Sequence, residues 1–168
     1  SLYKVTAVKD YYDMDEKTFA STNEANLELA LNLDLGSSEF VYVRGKLMIK
    51  INPIYFDLDK SYIRPDAELE LERVVRIMQK YPELKINLGS HTDSRARDAY
   101  NWSLSTRRAR SSKNWIVRQG IDPSRIKAEG FGETELVNKC SNGVNCSEDD
   151  HQLNRRTEFV IVNPEVIK

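Results

Sequence analysis

The sequence predicts an α+β fold of order βαβαββ, a mixed parallel and antiparallel sheet of about four strands with two main helices on one face. Three observations carry this reading. Two stretches, near residues 65–80 and 99–119, repeat buried-type residues every three to four positions, the period of a helix with one covered face. Short alternating stretches precede, separate and follow them at the period of a half-buried strand. A helix between two strands makes a right-handed crossover and parallel neighbours, whereas a last strand reached by a loop is free to run antiparallel.

The 168 residues suffice for one domain with a sizeable core plus an accessory segment, and 40% hydrophobic with 30% charged residues is ordinary for a globular chain. No run of about 18 apolar residues is present to span a membrane as a helix. No leader-like segment opens the chain, which reads as part of something longer. The net charge of −1 is uneven: residues 1–40 hold eight acidic residues against three lysines, −5, which leaves +4 for residues 41–168. That excess is too small and dispersed for a nucleic-acid footprint.

Taken in order, Lys4–Tyr12 has strand-like content, and the following polar stretch through Ala25 reads as a turn-rich connection. Asn26–Leu35 places leucine at every second position over five leucines, which argues for a strand against leucine's helix preference. Two strands bury little alone, so residues 1–45 read as the end of a truncated β domain or a docked flap. Residues 41–52 alternate again, with a break at Gly45-Lys46, and the main domain is assigned to residues 46–168. Ile54–Leu58 reads as its first strand. Pro65 sits just inside a helix start with Asp66 and Glu68 in the first turn, and Leu71, Val74, Val75, Met78 and Tyr81 mark the covered stripe. Pro82 stops that helix. Leu84–Ser90 is the next strand, and the second helix runs from about Ala99 until Gly120 ends it. A short strand at Ile126–Phe131, a long polar loop with both cysteines, and a strand at Arg156–Asn163 complete the chain.

The Leu84–Ser90 strand opens into a polar hinge with His91, Thr92 and Asp93, at the carboxyl end of a strand where open sheets with helical crossovers bind ligands. Arg108 shares a helix line with Leu104 and Trp115, so its stem is covered and its guanidinium needs a carboxylate or a ligand. Two arrangements fit: Asp93 and Arg108 receiving the ammonium and carboxylate of a zwitterionic amino acid, or an internal Asp93–Arg108 salt bridge. Tyr100 and Asn101 open the second helix, where an amide side chain meets a ligand or merely caps. Alternation sends Arg155 and Arg156 to opposite faces. Cys140 and Cys146, with five residues between them, do not match a zinc-knuckle spacing and suit a disulfide around a polar turn, with free thiols and a metal as the other possibilities. His91 with Ser103 or Ser105 lacks a nucleophile elbow and an orienting third group, and the glycines of Glu129–Glu133 lack a phosphate-loop lysine. Asn-x-Ser triplets at Asn101 and Asn145 match a glycosylation pattern of low specificity.

The stretch from His91 to Glu133 (HTDSRARDAYNWSLSTRRARSSKNWIVRQGIDPSRIKAEGFGE), with IYFDLDKSYIRPDA before it and NRRTEFVIV after it, resembles the OmpA-like C-terminal domain. That is the periplasmic peptidoglycan-associating module of porin-like outer-membrane proteins, peptidoglycan-associated lipoproteins and flagellar stator proteins. The Cys140–Cys146 insert is similar to the Bacteroidetes-type version, and residues 1–45 resemble the end of a carboxypeptidase-regulatory-like sandwich. The resemblance implies that Asp93 holds the ammonium of diaminopimelate in the peptidoglycan stem peptide and Arg108 its carboxylate. It also implies that Asn101, Thr92, Leu104 and Arg156 line the site, without cofactor, metal or catalysis. The family usually has glycine where this chain has Ala96; a positive φ there would cost about 1 kcal/mol. The expected function is non-covalent anchoring of the outer membrane to the cell wall from its periplasmic face, with membrane attachment supplied elsewhere in the full-length protein. The alternatives are a structural or interaction domain that does not bind the wall, and a hydrolase of wall peptides.

Overall fold

A computed structural model describes residues 2–7, 15–20, 39–57 and 59–167, and side chains for the last two ranges. The chain divides into two compact units, Ser1–Lys50 and Ile51–Lys168.

The first unit contains two antiparallel pairs. Strand β1 (Leu2–Ala7) pairs with β2 (Asp15–Ala20), from Leu2 opposite Ala20 to Ala7 opposite Asp15. β2 lies in the stretch expected to be a connection: its polar sequence hid a strand whose backbone is satisfied by the ladder with β1. The expected strand at Asn26–Leu35 lies outside the described residues, as does most of the segment read as a sandwich tail. β3 (Phe40–Val43) and β4 (Lys46–Ile49) form a hairpin closed by Arg44 and Gly45. Both have positive φ, 48° and 74°, as a two-residue turn matched to strand twist requires, which gives Gly45 its purpose.

In the second unit, α1 spans Pro65–Lys80, the limits its proline start and apolar stripe predict, with Leu71, Val74, Val75 and Met78 buried. β5 (Ile86–His91) is central, pairing antiparallel with β7 (Thr157–Ile161) and parallel with β6 (Ile126–Gly132). Helix α2 (Asp98–Arg118) is the crossover from β5 to β6; it packs on both strands and beside α1. Its buried line is Ser105, Ala109, Ser112 and Ile116, and the small residues admit a close approach. Gly130 is where that approach is tightest, because an added Cβ would lie 2.2 Å from the backbone nitrogen of Thr106.

Two expectations need correction. Ile54–Leu58 was expected to be a strand, but residues 51–57 form none. Pro53 offers no donor, the Asn52 N–H goes to Glu70 Oε2 at 2.9 Å, and Asp57 turns the chain by accepting from the Lys60 N–H at 3.0 Å. The first helical crossover therefore yields no parallel neighbour inside this unit, and antiparallel β7 occupies that side of β5. The polar loop after residue 137 also contains a helix, α3 (Glu148–Asn154), begun by a capping box between Ser147 and Asp150.

Candidate functional site

The hinge after β5 is fixed from both sides before it reaches Asp93. The His91 N–H donates to the Arg156 carbonyl at 2.9 Å and the Thr92 N–H to the Gly132 carbonyl at 2.8 Å. His91, Thr92, Asp93 and Ser94 are all buried. Asn101, in the first turn of α2, holds the loop from beyond: its Nδ2 donates to the Asp93 carbonyl at 3.0 Å, the Ala96 carbonyl at 3.3 Å and Glu133 Oε2 at 2.5 Å. It is a brace rather than a helix cap. Among the described residues the non-glycine positive φ angles belong to Arg44 and Asp59, so Ala96 carries no left-handed strain.

Asp93 and Arg108 line one cleft of about 490 Å³ and do not pair with each other. Asp93 Oδ2 accepts from Arg95 Nη2 at 2.8 Å and Arg155 Nη1 at 2.6 Å, whereas among the described residues Oδ1 accepts only the Arg95 backbone N–H at 3.1 Å. Burial pushes the Asp93 carboxyl up, but the Arg95 and Arg155 hydrogen bonds outweigh it and hold it down to about 2. Arg108, 8% exposed, donates from Nε to the Lys60 carbonyl at 3.0 Å and from Nη2 to the Asp57 carbonyl at 3.3 Å. Its guanidinium sits 4.9 Å from the Phe56 ring centre, and burial lowers its pKa. Among the described residues no carboxylate pairs with it.

Of the other expected site residues, Thr92, Asn101 and Leu104 line this cleft. The Thr92 hydroxyl is buried without a hydrogen-bond partner among the described residues. Arg156 lies apart, in an adjacent cavity of about 60 Å³, with its Nε on Glu158 Oε1 at 2.7 Å. Arg155 is the member of that pair that reaches the cleft. It was hidden because its placement depends on α3, whose last turn points it at Asp93 while Glu148 and Gln152 hold its guanidinium. The readable signal was the Ser147–Asp150 capping box. Arg95, Asp59 and Tyr100 also line the cleft, with the Tyr100 hydroxyl donating to Asp59.

Cys140 and Cys146 form a disulfide, and the Cys140 carbonyl accepts from Ser94 Oγ at 2.6 Å, tying this loop to the hinge. Cys140, Cys146 and Asp150 cluster as metal donors would, but two bonded sulfurs offer no thiolate. His91 stacks on Phe131 at 5.0 Å, and burial lowers its pKa. Ser105 Oγ instead donates to the Trp102 carbonyl and accepts the Gly132 N–H, and Ser103 Oγ accepts from Arg107 Nη1 at 2.7 Å, so neither serine pairs with a histidine among the described residues.

The chain is 38% identical over 116 residues to an outer membrane porin F of Pseudomonas fluorescens, covering 69% of this chain and 32% of that protein. It is 33% identical over 87 residues to the peptidoglycan-associated lipoprotein of Brucella melitensis, covering 52% of each. A Gloeobacter violaceus protein named photosystem I P700 chlorophyll a apoprotein A2 is 39% identical over 119 residues, covering 70% of this chain but 14% of that one. The chain thus spans about half or less of these relatives' lengths. Among solved structures, a MotB-like protein of Desulfovibrio vulgaris superposes with a TM-score of 0.60 at 26% identity, covering 73% of this chain and 76% of that one. The porin likeness places the chain at the outer membrane and periplasm, an oxidising setting that suits its disulfide. The model of the OmpA family matches residues 55–149, more than half of the sequence, and the chain belongs to that family.

Proposed function

We propose that the cleft binds peptidoglycan non-covalently through the diaminopimelate residue of its stem peptide, and so ties the outer membrane to the cell wall. Peptidoglycan enters because relatives are named for their association with it. The observation that carries the ligand chemistry is Arg108, a buried guanidinium held by two carbonyls and an aromatic face with no carboxylate among the described residues. Such a charge, facing an open cleft, favours an incoming carboxylate. Across the same cleft, Asp93 Oδ1 retains acceptor capacity for an ammonium group. Asn101 braces the loop, Thr92 offers its hydroxyl, Leu104 supplies apolar contact and Arg156 backs the sheet side of the site. The same reading takes residues 1–45 as the end of a carboxypeptidase-regulatory-like sandwich and the disulfide loop as the Bacteroidetes-type insert. Domains of this family are structural and non-catalytic.

Calorimetric titration with diaminopimelate, and co-sedimentation with insoluble peptidoglycan, test this. Arg108→Ala is expected to weaken both by roughly 10- to 100-fold, the cost of losing a charge-assisted contact. Absence of saturable binding, or binding unchanged in both Arg108→Ala and Asp93→Ala, overturns it. The second reading, a structural domain that does not bind the wall, is favoured by one observation: Asp93 already has two arginine partners. It predicts that Asp93→Ala lowers stability and that the wild type ignores peptidoglycan.

A further inference from the structure

On the other side of the first turn of α2 lies a second concavity of about 320 Å³. Its surface is mostly apolar, from Trp102, Phe131 and Ala99, and its rim carries Asp98, Glu133 and Thr134. Trp102 is 59% exposed, an unusual position for the largest side chain in a domain with a well-filled core. Packing explains the shape: Gly132, with φ +53°, lets β6 approach so closely that an added Cβ would stand 3.0 Å from the Trp102 nitrogen. A side chain there would push into the helix start and alter the floor.

The lining restricts the occupant. An exposed indole beside a phenyl ring suits the apolar C–H face of a pyranose, while carboxylates at the edge accept from hydroxyl and acetamido N–H donors. Asp98 makes no side-chain hydrogen bond or ion pair among the described residues, so its oxygens are available. Glu133 is held in place by Asn101 at 2.5 Å and Asn142 at 2.8 Å, and each of its oxygens keeps a second lone pair. An acidic rim disfavours anionic partners and favours a neutral ligand rich in donors. The groove also lies across the first turn of α2 from the proposed binding cleft. Asp98, Ala99 and Trp102 face the groove, Tyr100, Asn101 and Leu104 face the cleft, and the Asn101–Glu133 hydrogen bond joins the two rims.

We propose that the Trp102 groove is a sugar subsite that takes one N-acetylated pyranose of the glycan strand while the cleft takes the stem peptide. This rests on the reading that peptidoglycan is the ligand. The reach is compatible: a helix is about 10–12 Å across, and the short peptide between diaminopimelate and the sugar spans on the order of 10 Å. One polymer segment can therefore straddle the start of α2, and the two weak contacts reinforce each other.

The probe for the groove is the neutral trimer of N-acetylglucosamine, which carries neither peptide nor charge. In nitrogen–proton NMR spectra, the Trp102 indole N–H signal, assigned by its loss in Trp102→Phe, is expected to shift saturably. Trp115, half-buried and donating to Glu68, serves as an internal control whose signal stays still. Trimer binding should disappear in Trp102→Ala, survive in Trp102→Phe as measured on neighbouring backbone signals, and be unchanged in Arg108→Ala. Diaminopimelate binding should be unchanged in Trp102→Ala, and peptidoglycan binding should fall roughly 3- to 10-fold. The exposure of Trp102 leaves the fold intact in these variants, which a thermal melt checks. No saturable shift, the same shift in Trp102→Ala, or a concentration-dependent dimer dispersed by Trp102→Ala overturns the sugar subsite. Loss of diaminopimelate binding with the Trp102-dependent trimer shift retained overturns the cleft reading and leaves the groove standing.

Discussion

At the scale of single residues, the cleft sets two kinds of charge against each other. Arg108 is covered and, among the described residues, hydrogen-bonded to neutral carbonyls, and burial lowers its pKa. Asp93 is covered and satisfied by cations, so it stays ionised well below ordinary carboxylates, at about 2. The sign for stability follows. A carboxylate whose folded pKa is depressed stabilises the fold above its unfolded value, and that contribution disappears as pH falls through the folded value. For Asp93 the window runs from the usual carboxylate range near ~4 down to about 2, and the contribution is about 2 kcal/mol. Urea unfolding of the wild type and Asp93→Asn should therefore differ by that order at pH 6 and converge toward pH 2. A difference that is constant across this range would mean the arginine contacts do not govern the titration. Ala96 illustrates the opposite case. Its departure from the usual glycine raised a question of backbone strain, and a negative φ removes it.

At the scale of elements, the cleft depends on a helix that neither supplies nor covers the core. α3 has seven residues, too few to be stable by propensity alone, and is held by its capping box, by Asn154 bonded to Asn138, and by the neighbouring disulfide. Replacing both Cys140 and Cys146 by serine should cost about 2 kcal/mol, the chain-entropy value for so short a loop. It should also weaken diaminopimelate binding, because Ser94 loses its fixed acceptor on Cys140 and Arg155 its fixed base. Calorimetry and a thermal melt read the two effects separately; lost stability with full affinity would show that α3 positions nothing at the site. These elements also show what periodicity can and cannot reveal. α1 and α2 were legible because each buries a stripe over four turns or more, and the antiparallel β7 followed from its loop connection. β2 and α3 were not, since both are short and polar and owe their form to backbone pairing and caps. Ile54–Leu58 had the right alternation, but Pro53 and the diversion of Asn52 to Glu70 left no ladder to join. For the cleft, Asp93, Arg108 and Asn101 stood out in advance because they flank one crossover, whereas Thr92 and Leu104 were implied by the family resemblance. Arg95 could not be named in advance, because it reaches Asp93 through a loop conformation that the residue pattern does not encode, and choosing Arg155 over Arg156 required reading α3 from its capping box.

At the scale of the whole molecule, a net charge of −1 supplies almost no long-range attraction for a polymer surface. On the proposed reading, affinity for the wall then arises where the charges are covered, at Arg108 and Asp93, both 8% exposed. This separates specific recognition from adsorption by salt alone. Between about 0.1 M and 1 M salt the screening length falls from ~10 Å to ~3 Å, which abolishes attraction between exposed charges but reaches buried ones far less. Co-sedimentation with insoluble peptidoglycan should accordingly weaken only a few-fold over that range, and free diaminopimelate should still compete at high salt. Exposed arginines such as Arg97, Arg107 and Arg110 would give the contrary result if they carried the binding, a loss well beyond tenfold and no competition. Arg108→Lys sharpens the distinction. It keeps the charge and the salt response of an adsorbing surface, but it loses the forked donors that hold the Asp57 and Lys60 carbonyls while meeting a ligand carboxylate. Recognition through the cleft requires that this variant bind the wall markedly less than the wild type at every salt concentration.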